Sequence, residues 1–296
     1  VLLRLALAAA LPLAATAARR TSRRLPGSAG GCRESLAGIP KFVLNLDRRS
    51  DRLHGLSSFL ARDAPWMLNG MCRVQAPDGK AFGKALPASL VAPATWRKVT
   101  SEAGSGKNTM GWSMTRGAAA LIMGHARMWE HVAQSSAPWA IVMEDDIGYL
   151  HPRVQGLLCD VLQGRVEALR GGWEYVQLQL PKWMPQDSIT PLRIEPGTDF
   201  NTGMYLITRE AAAKMIDRSI PVTGAQLDRP EGPLRSQLKG FRSLPKAADQ
   251  LLGSQYDTDV QVALLQLAAD NAKIVDCPPL NASKMLKPVL LGAYSG

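Results

Sequence analysis

The chain has 296 residues, 46% hydrophobic and 20% charged, with a formal net charge of +10. That length allows one large α/β domain or two small ones, and the composition is that of a globular chain with a sizeable core. Half of the net charge comes from Arg4, Arg19, Arg20, Arg23 and Arg24. The remaining excess could favour an anionic ligand such as a nucleotide diphosphate, but it is too diffuse to claim nucleic acid, with neither zinc-finger spacing nor an aromatic–basic motif, and no nucleic-acid partner is expected.

Residues 1–18, VLLRLALAAALPLAATAA, are almost wholly apolar and end near Ala15-Thr16-Ala17, an A-x-A-like cleavage site. They read as a secretory signal peptide. A signal anchor is the rival reading, but Pro12 and a run shorter than the roughly 20 residues of a membrane span count against it. Cleavage would put the protein in the lumen of the endoplasmic reticulum or Golgi, or outside the cell. Only an uncleaved segment would attach it to a membrane. Residues 19–38, rich in Arg, Gly and Ser, read as a linker or stem, and the globular domain is expected over 39–296. Cys32, Cys72, Cys159 and Cys277 have no metal-ligand spacing. They form disulfides in one of three pairings or stay as buried thiols.

Residues 41–46, KFVLNL, read as a strand, with the basic turn DRRSDR next and a helix over 53–62. Strand, basic turn and helix together make a phosphate-binding arrangement, and arginine adds bidentate pairing with phosphate oxygens. The alternative is a solvated charged turn. MCRVQAPDG (71–79) reads as a second strand ending in an Asp-Gly turn, and 80–113 as a long active-site loop. A helix is expected over Arg116–Gln134, where Ala118, Leu121, Ile122, His125, Met128, Trp129 and Val132 fall on one stripe. His125 therefore points inward, either as a packed core histidine or as a group orienting its neighbours.

WAIVMEDDIGYL (139–150) is the stretch with the most chemistry. Five apolar residues read as a strand buried on both faces, and Glu144, Asp145 and Asp146 stand at its carboxyl end, where open α/β sheets bind ligands. If extended geometry persists, Glu144 and Asp146 share one face. Two such carboxylates suit a hard divalent cation such as Mg2+ or Mn2+. The alternative is a solvated strand end. Further strands are expected at 173–180 and 202–208, then a helix at 209–217 capped by Thr208 and a mobile loop at 221–253. A helix over 260–270 follows, with a Thr258–Gln261 capping box, and a closing strand segment at 273–283. Asn281-Ala282-Ser283 is a glycosylation sequon.

The segment GWSMTRGAAALIMGHARMWEHVAQSSAPWAIVMEDD resembles the central motif of glycosyltransferase family 25, which includes collagen hydroxylysine galactosyltransferases and bacterial lipooligosaccharide galactosyltransferases. Gly117, His125, Trp129, Glu144, Asp145 and Asp146 match. Gly124 stands where the family usually has Ser, and Ala120-Leu121 where it usually has Gly-Cys. NLDRRSDR resembles the family's N-terminal signature, and Gly203 and Tyr205 match a later strand.

The resemblance implies a GT-A-like, Rossmann-related α/β fold, a mixed sheet flanked by helices in a single domain. It implies transfer of a hexose, galactose from UDP-galactose above all, to a hydroxyl of a glycan or glycoprotein. By the same resemblance Asn45, Arg48, Arg49, Arg52, Ala76, Asp78, Gly79 and Asp145 bind the donor, and Glu144 and Asp146 hold Mn2+. Asp257 or Asp259 would supply the base, and His125 would orient the acids or the donor. Two other readings stand beside it: a secreted glycan-binding protein with an inactive transferase fold, and a metal-dependent phosphohydrolase.

Overall fold

The computed structural model describes residues 29–82, 88–100, 114–181, 184, 186–224, 226–227, 229, 232–250 and 274–284. Residues 1–28 and 251–273 lie outside these, and with them the signal segment, the helix expected at 260–270, Asp257 and Asp259.

The centre of the fold is strand β3 (Trp139–Glu144). Its side chains alternate between two cores. Ala140 and Val142 pack with α4 (Arg116–Gln134) and α6 (Arg209–Ser219) on one face. Trp139, Ile141 and Met143 pack on the other with α1 (Ala29–Ala37), α2 (Ser50–Asp63) and α5 (Val154–Leu162). Burial on both faces is why the strand is an unbroken apolar run, each large side chain contributing roughly 1.5–3 kcal/mol.

Around it lies a mixed eight-stranded sheet in the order β10-β2-β1-β3-β7-β5-β8-β6. β1 (Lys41–Asn45) pairs in parallel with β2 (Met71–Gln75) on one side and with β3 on the other. β10 (Val275–Asp276) extends β2 in parallel. β7 (Met204–Thr208) joins β3 antiparallel, followed by β5 (Tyr175–Gln177), β8 (Gly240–Leu244) and β6 (Arg193–Pro196). β4 (Ile147–Leu150) and β9 (Ala248–Gln250) form a separate antiparallel pair. The expected α/β architecture, a mixed sheet with helices on both faces, is the observed one. The chain leaves β1 toward β2 on one side and has β3 on the other, so a crevice opens at the carboxyl ends of β1 and β3.

Three expectations need correction. Residues 29–38 are not stem: α1 buries Leu36 and is bridged through Cys32 to Cys159 of α5. The Lys41 ammonium is also buried and donates to the carbonyls of Leu36, Ile39 and Asn69, holding the end of α1 to the sheet. The stretch 80–113 is not all loop, because Pro93–Thr100 forms α3 and buries Trp96 and Val99. Nor is 221–253, which contains α7 (Pro233–Ser236), β8 and β9. All four cysteines are paired, Cys32 with Cys159 and Cys72 with Cys277.

Candidate active site

The crevice is a cavity of about 700 Å³, within the usual range for small-molecule sites. Its floor is the carboxyl end of the parallel strands: Leu44, Asn45 and Leu46 at the end of β1, Ala76 to Lys80 after β2, and Glu144 and Asp145 at the end of β3. Val99 and Thr100 of α3 and the first turn of α4 close the other wall.

The acid run does not stay extended. β3 ends at Glu144, residues 145–146 form a turn, and β4 starts at Ile147. The pair lining the cavity is therefore Glu144 and Asp145. Asp145 is fixed by β1 and α2: Asn45 Nδ2 donates to its Oδ2 at 2.7 Å, and Arg52 donates to its Oδ1 at 3.2 Å. Burial outweighs these contacts and holds its carboxyl above the ordinary value. Asn45 is itself saturated, donating also to the Arg49 carbonyl at 2.8 Å and accepting from Arg73 at 2.9 Å.

Glu144 has the same strand parity as Ala140 and Val142, so it meets α4. His125 Nε2 lies 3.4 Å from Glu144 Oε1, and Thr202 Oγ1 donates to the same oxygen at 2.5 Å. Burial pushes the Glu144 carboxyl up, but His125 and Thr202 outweigh it and bring it below the ordinary value. His125 is fully buried with its Nδ1 2.7 Å from Tyr205 Oη, and Trp129 Nε1 donates to that hydroxyl at 2.9 Å. A hydroxyl that already accepts the indole N–H gives its own proton to Nδ1, so a neutral imidazole carries its hydrogen on Nε2, toward Glu144. The inward reading of His125 holds, and it stands behind the acid rather than in the cavity.

Asp146 does not line the cavity. It lies 8% exposed beside Gln250, its Oδ1 has no hydrogen-bond partner, and burial together with Glu144 and Asp145 pushes its carboxyl up to about 7. Such an oxygen suits a cation. Among the described residues no cluster of three or more His, Cys, Asp or Glu side chains forms a metal cage. Mg2+ and Mn2+ in nucleotide sites need none, taking one or two carboxylates and completing the shell with phosphate and water. The residues present fit that kind of ion.

The basic turn divides. Arg48 and Arg52 line the cavity, whereas Arg49 pairs with Asp51 and does not. Arg48 Nε donates to Asp78 Oδ2 at 2.7 Å, and the Lys80 N–H donates to Asp78 Oδ1 at 2.9 Å. Gly79 is required by close approach: a Cβ there would lie 2.7 Å from the Arg116 carbonyl oxygen. Asp78 and Ala76 line the same wall.

The sequence reading missed the first turn of α4. Thr115, Arg116 and Gly117 line the cavity, with the Thr115 side chain capping the helix by accepting from the Ala118 N–H. The positive end of a 19-residue helix thus borders the cavity that the two acids and the basic turn also line. The Thr-x-x-Ala start of the amphipathic stretch was the available signal. Ala120 and Leu121, two of the departures from the family pattern, lie on the same wall.

Residues 39–179 match the family described as Glycosyltransferase family 25 (LPS biosynthesis protein). No curated protein matches the chain. The matched stretch holds every strand end, acid and arginine that builds the cavity, and the match supports a glycosyltransferase, an enzyme that takes a sugar from a donor to a glycan acceptor.

Proposed function

We propose that the enzyme transfers a hexose, galactose in the first instance, from a UDP-sugar to a hydroxyl of a glycan or glycoprotein. The observation that carries this is one cavity that brings basic and acidic groups together at the strand ends. Arg48, Arg52 and the first turn of α4 suit a diphosphate, with Glu144 and Asp145 in the same cavity and Asp145 in contact with Arg52. The nucleoside would lie along Ala76 to Gly79.

Glu144 in the cavity, joined by the unpartnered Asp146 Oδ1 from the turn that follows it, would hold a divalent cation, Mn2+ by preference, which when bound neutralises charge on the departing diphosphate. His125 holds Glu144 ionised and oriented. Arg52 and Asn45 keep Asp145 aimed at the cavity. The acceptor's base is Asp257 or Asp259 in this reading.

The lumen of the secretory pathway is the proposed compartment, supported by the pairing of all four cysteines in disulfides, which persist in oxidising surroundings. The deciding experiment is a screen of sugar nucleotides for UDP release with Mn2+ and with chelator. Metal-dependent release from UDP-galactose supports the reading. Release from another UDP-sugar changes the donor. Phosphate release from simple phosphoesters, without UDP release, would replace it with a hydrolase.

A further inference from the structure

We infer that Asn281 is an N-glycosylation site, carrying a glycan on the face of the enzyme opposite its donor cavity. This rests on the lumenal compartment proposed above. Asn281-Ala282-Ser283 is the only Asn-x-Ser/Thr sequon in the 296 residues, and neither the middle residue nor the one following is proline.

The local geometry presents the reacting atom. Asn281 and Ser283 are both exposed. Ser283 donates to Asn281 Oδ1 twice, from its hydroxyl at 2.7 Å and from its backbone N–H at 3.1 Å. The carbonyl end of the amide is thus occupied, while its Nδ2 has no hydrogen-bond partner among the described residues. The backbone is anchored to the last residue of α4: the Asn281 N–H donates to Gln134 Oε1 at 3.1 Å, and Gln134 Nε2 donates to the Asn281 carbonyl at 3.4 Å. Four residues earlier the chain is tied to β2 through Cys72–Cys277.

Position makes a glycan compatible with catalysis. The cavity takes in the first turn of α4, and Gln134 is the helix's last residue. Nineteen residues at about 1.5 Å each separate the two ends by roughly 28 Å. A glycan on Asn281 projects from the far end.

In the modification, Nδ2 attacks the anomeric carbon of a glycosyl diphospholipid. The C–N bond forms as the C–O bond to the diphosphate breaks. The lipid diphosphate leaves with the electron pair, and the amide proton passes to the base of the transferring enzyme.

The test is to express the full chain in a eukaryotic secretory host, treat it with peptide N-glycosidase, and analyse both the 281-containing peptide and the disulfides by mass spectrometry. The expected result is a gel shift that collapses on treatment, with Asn281 converted to Asp. The shift should be lost in Asn281→Gln and Ser283→Ala and kept in Ser283→Thr. An unmodified Asn281 in material with both disulfides formed would overturn the inference while leaving the compartment standing. Material with all four cysteines as free thiols would overturn the compartment and the inference together.

Discussion

Leu44 of β1 occupies the space beside Gly124 of α4, such that a Cβ built at Gly124 would lie 2.8 Å from Leu44 Cδ2. The helix sits close on the strand, and Leu44 lines the cavity. A side chain at 124 has no room unless Leu44 moves.

Gly124→Ser should therefore destabilise the protein by about 1–3 kcal/mol through overpacking, although serine is what the family usually has there. Adding Leu44→Val or Leu44→Ala should recover part of that loss. Denaturant unfolding of the single and double variants checks the coupling, and strict additivity would argue against it.

UDP affinity should distinguish the three arginines of the basic turn. Arg52→Ala removes a charge-assisted contact worth roughly 1.5–3 kcal/mol, which corresponds to about ten-fold or more in affinity. Arg48→Ala should weaken binding less, because Arg48 is half-exposed and partnered by Asp78. Arg49→Ala should bind like the parent, since its guanidinium pairs with Asp51 outside the cavity. Calorimetric titration of UDP into each variant gives the order.

Stability should fall with rising pH through a window set by Asp146. In the fold this carboxyl keeps its proton up to about pH 7. In the unfolded chain it loses it near 3.9, about the ordinary value. Between those values the native state binds more protons than the unfolded chain, so the group's contribution declines as pH rises, by at most about 1.4 kcal/mol per pH unit. Asp146→Asn should remove that slope. At pH 8, Mn2+ with UDP should raise the melting temperature of the parent more than that of Asp146→Asn. Equal gains would separate Asp146 from the cation.

Tyr205→Phe tests the chain from Trp129 to Glu144. The variant leaves the Trp129 N–H buried without its acceptor, at a cost of about 1–3 kcal/mol. It also frees His125 Nδ1, so the hydrogen on Nε2 is no longer enforced. Turnover should fall while UDP affinity stays near the parent's, because neither Tyr205 nor His125 lines the cavity. Steady-state kinetics beside UDP titration separates these effects.

Much of the site was legible in the sequence because its signals are local. The run Trp139–Met143 announces a strand covered on both faces. Arg116–Gln134 was bounded correctly because Thr115 caps it and its stripe persists to the end. The acid cluster was placed at the right strand end but read as extended, whereas the two aspartates turn the chain from β3 into β4, a conformation aspartate favours. The cavity wall at Thr115–Gly117 was missed because it arises from the close approach of Gly79 to the Arg116 carbonyl, a contact between distant segments with no local pattern. α1 was missed because it is poor in apolar periodicity. A disulfide and the Lys41 ammonium hold it instead.

The two disulfides interleave along the chain, one closing residues 32 to 159 and the other 72 to 277. Together the closed loops cover every peptide bond from Cys32 to Cys277. A single proteolytic cut anywhere in that interval lies inside at least one loop, so it leaves two fragments still covalently joined. Backbone cleavage and loss of a fragment are thus separate events in the oxidised protein, and only reduction makes them one.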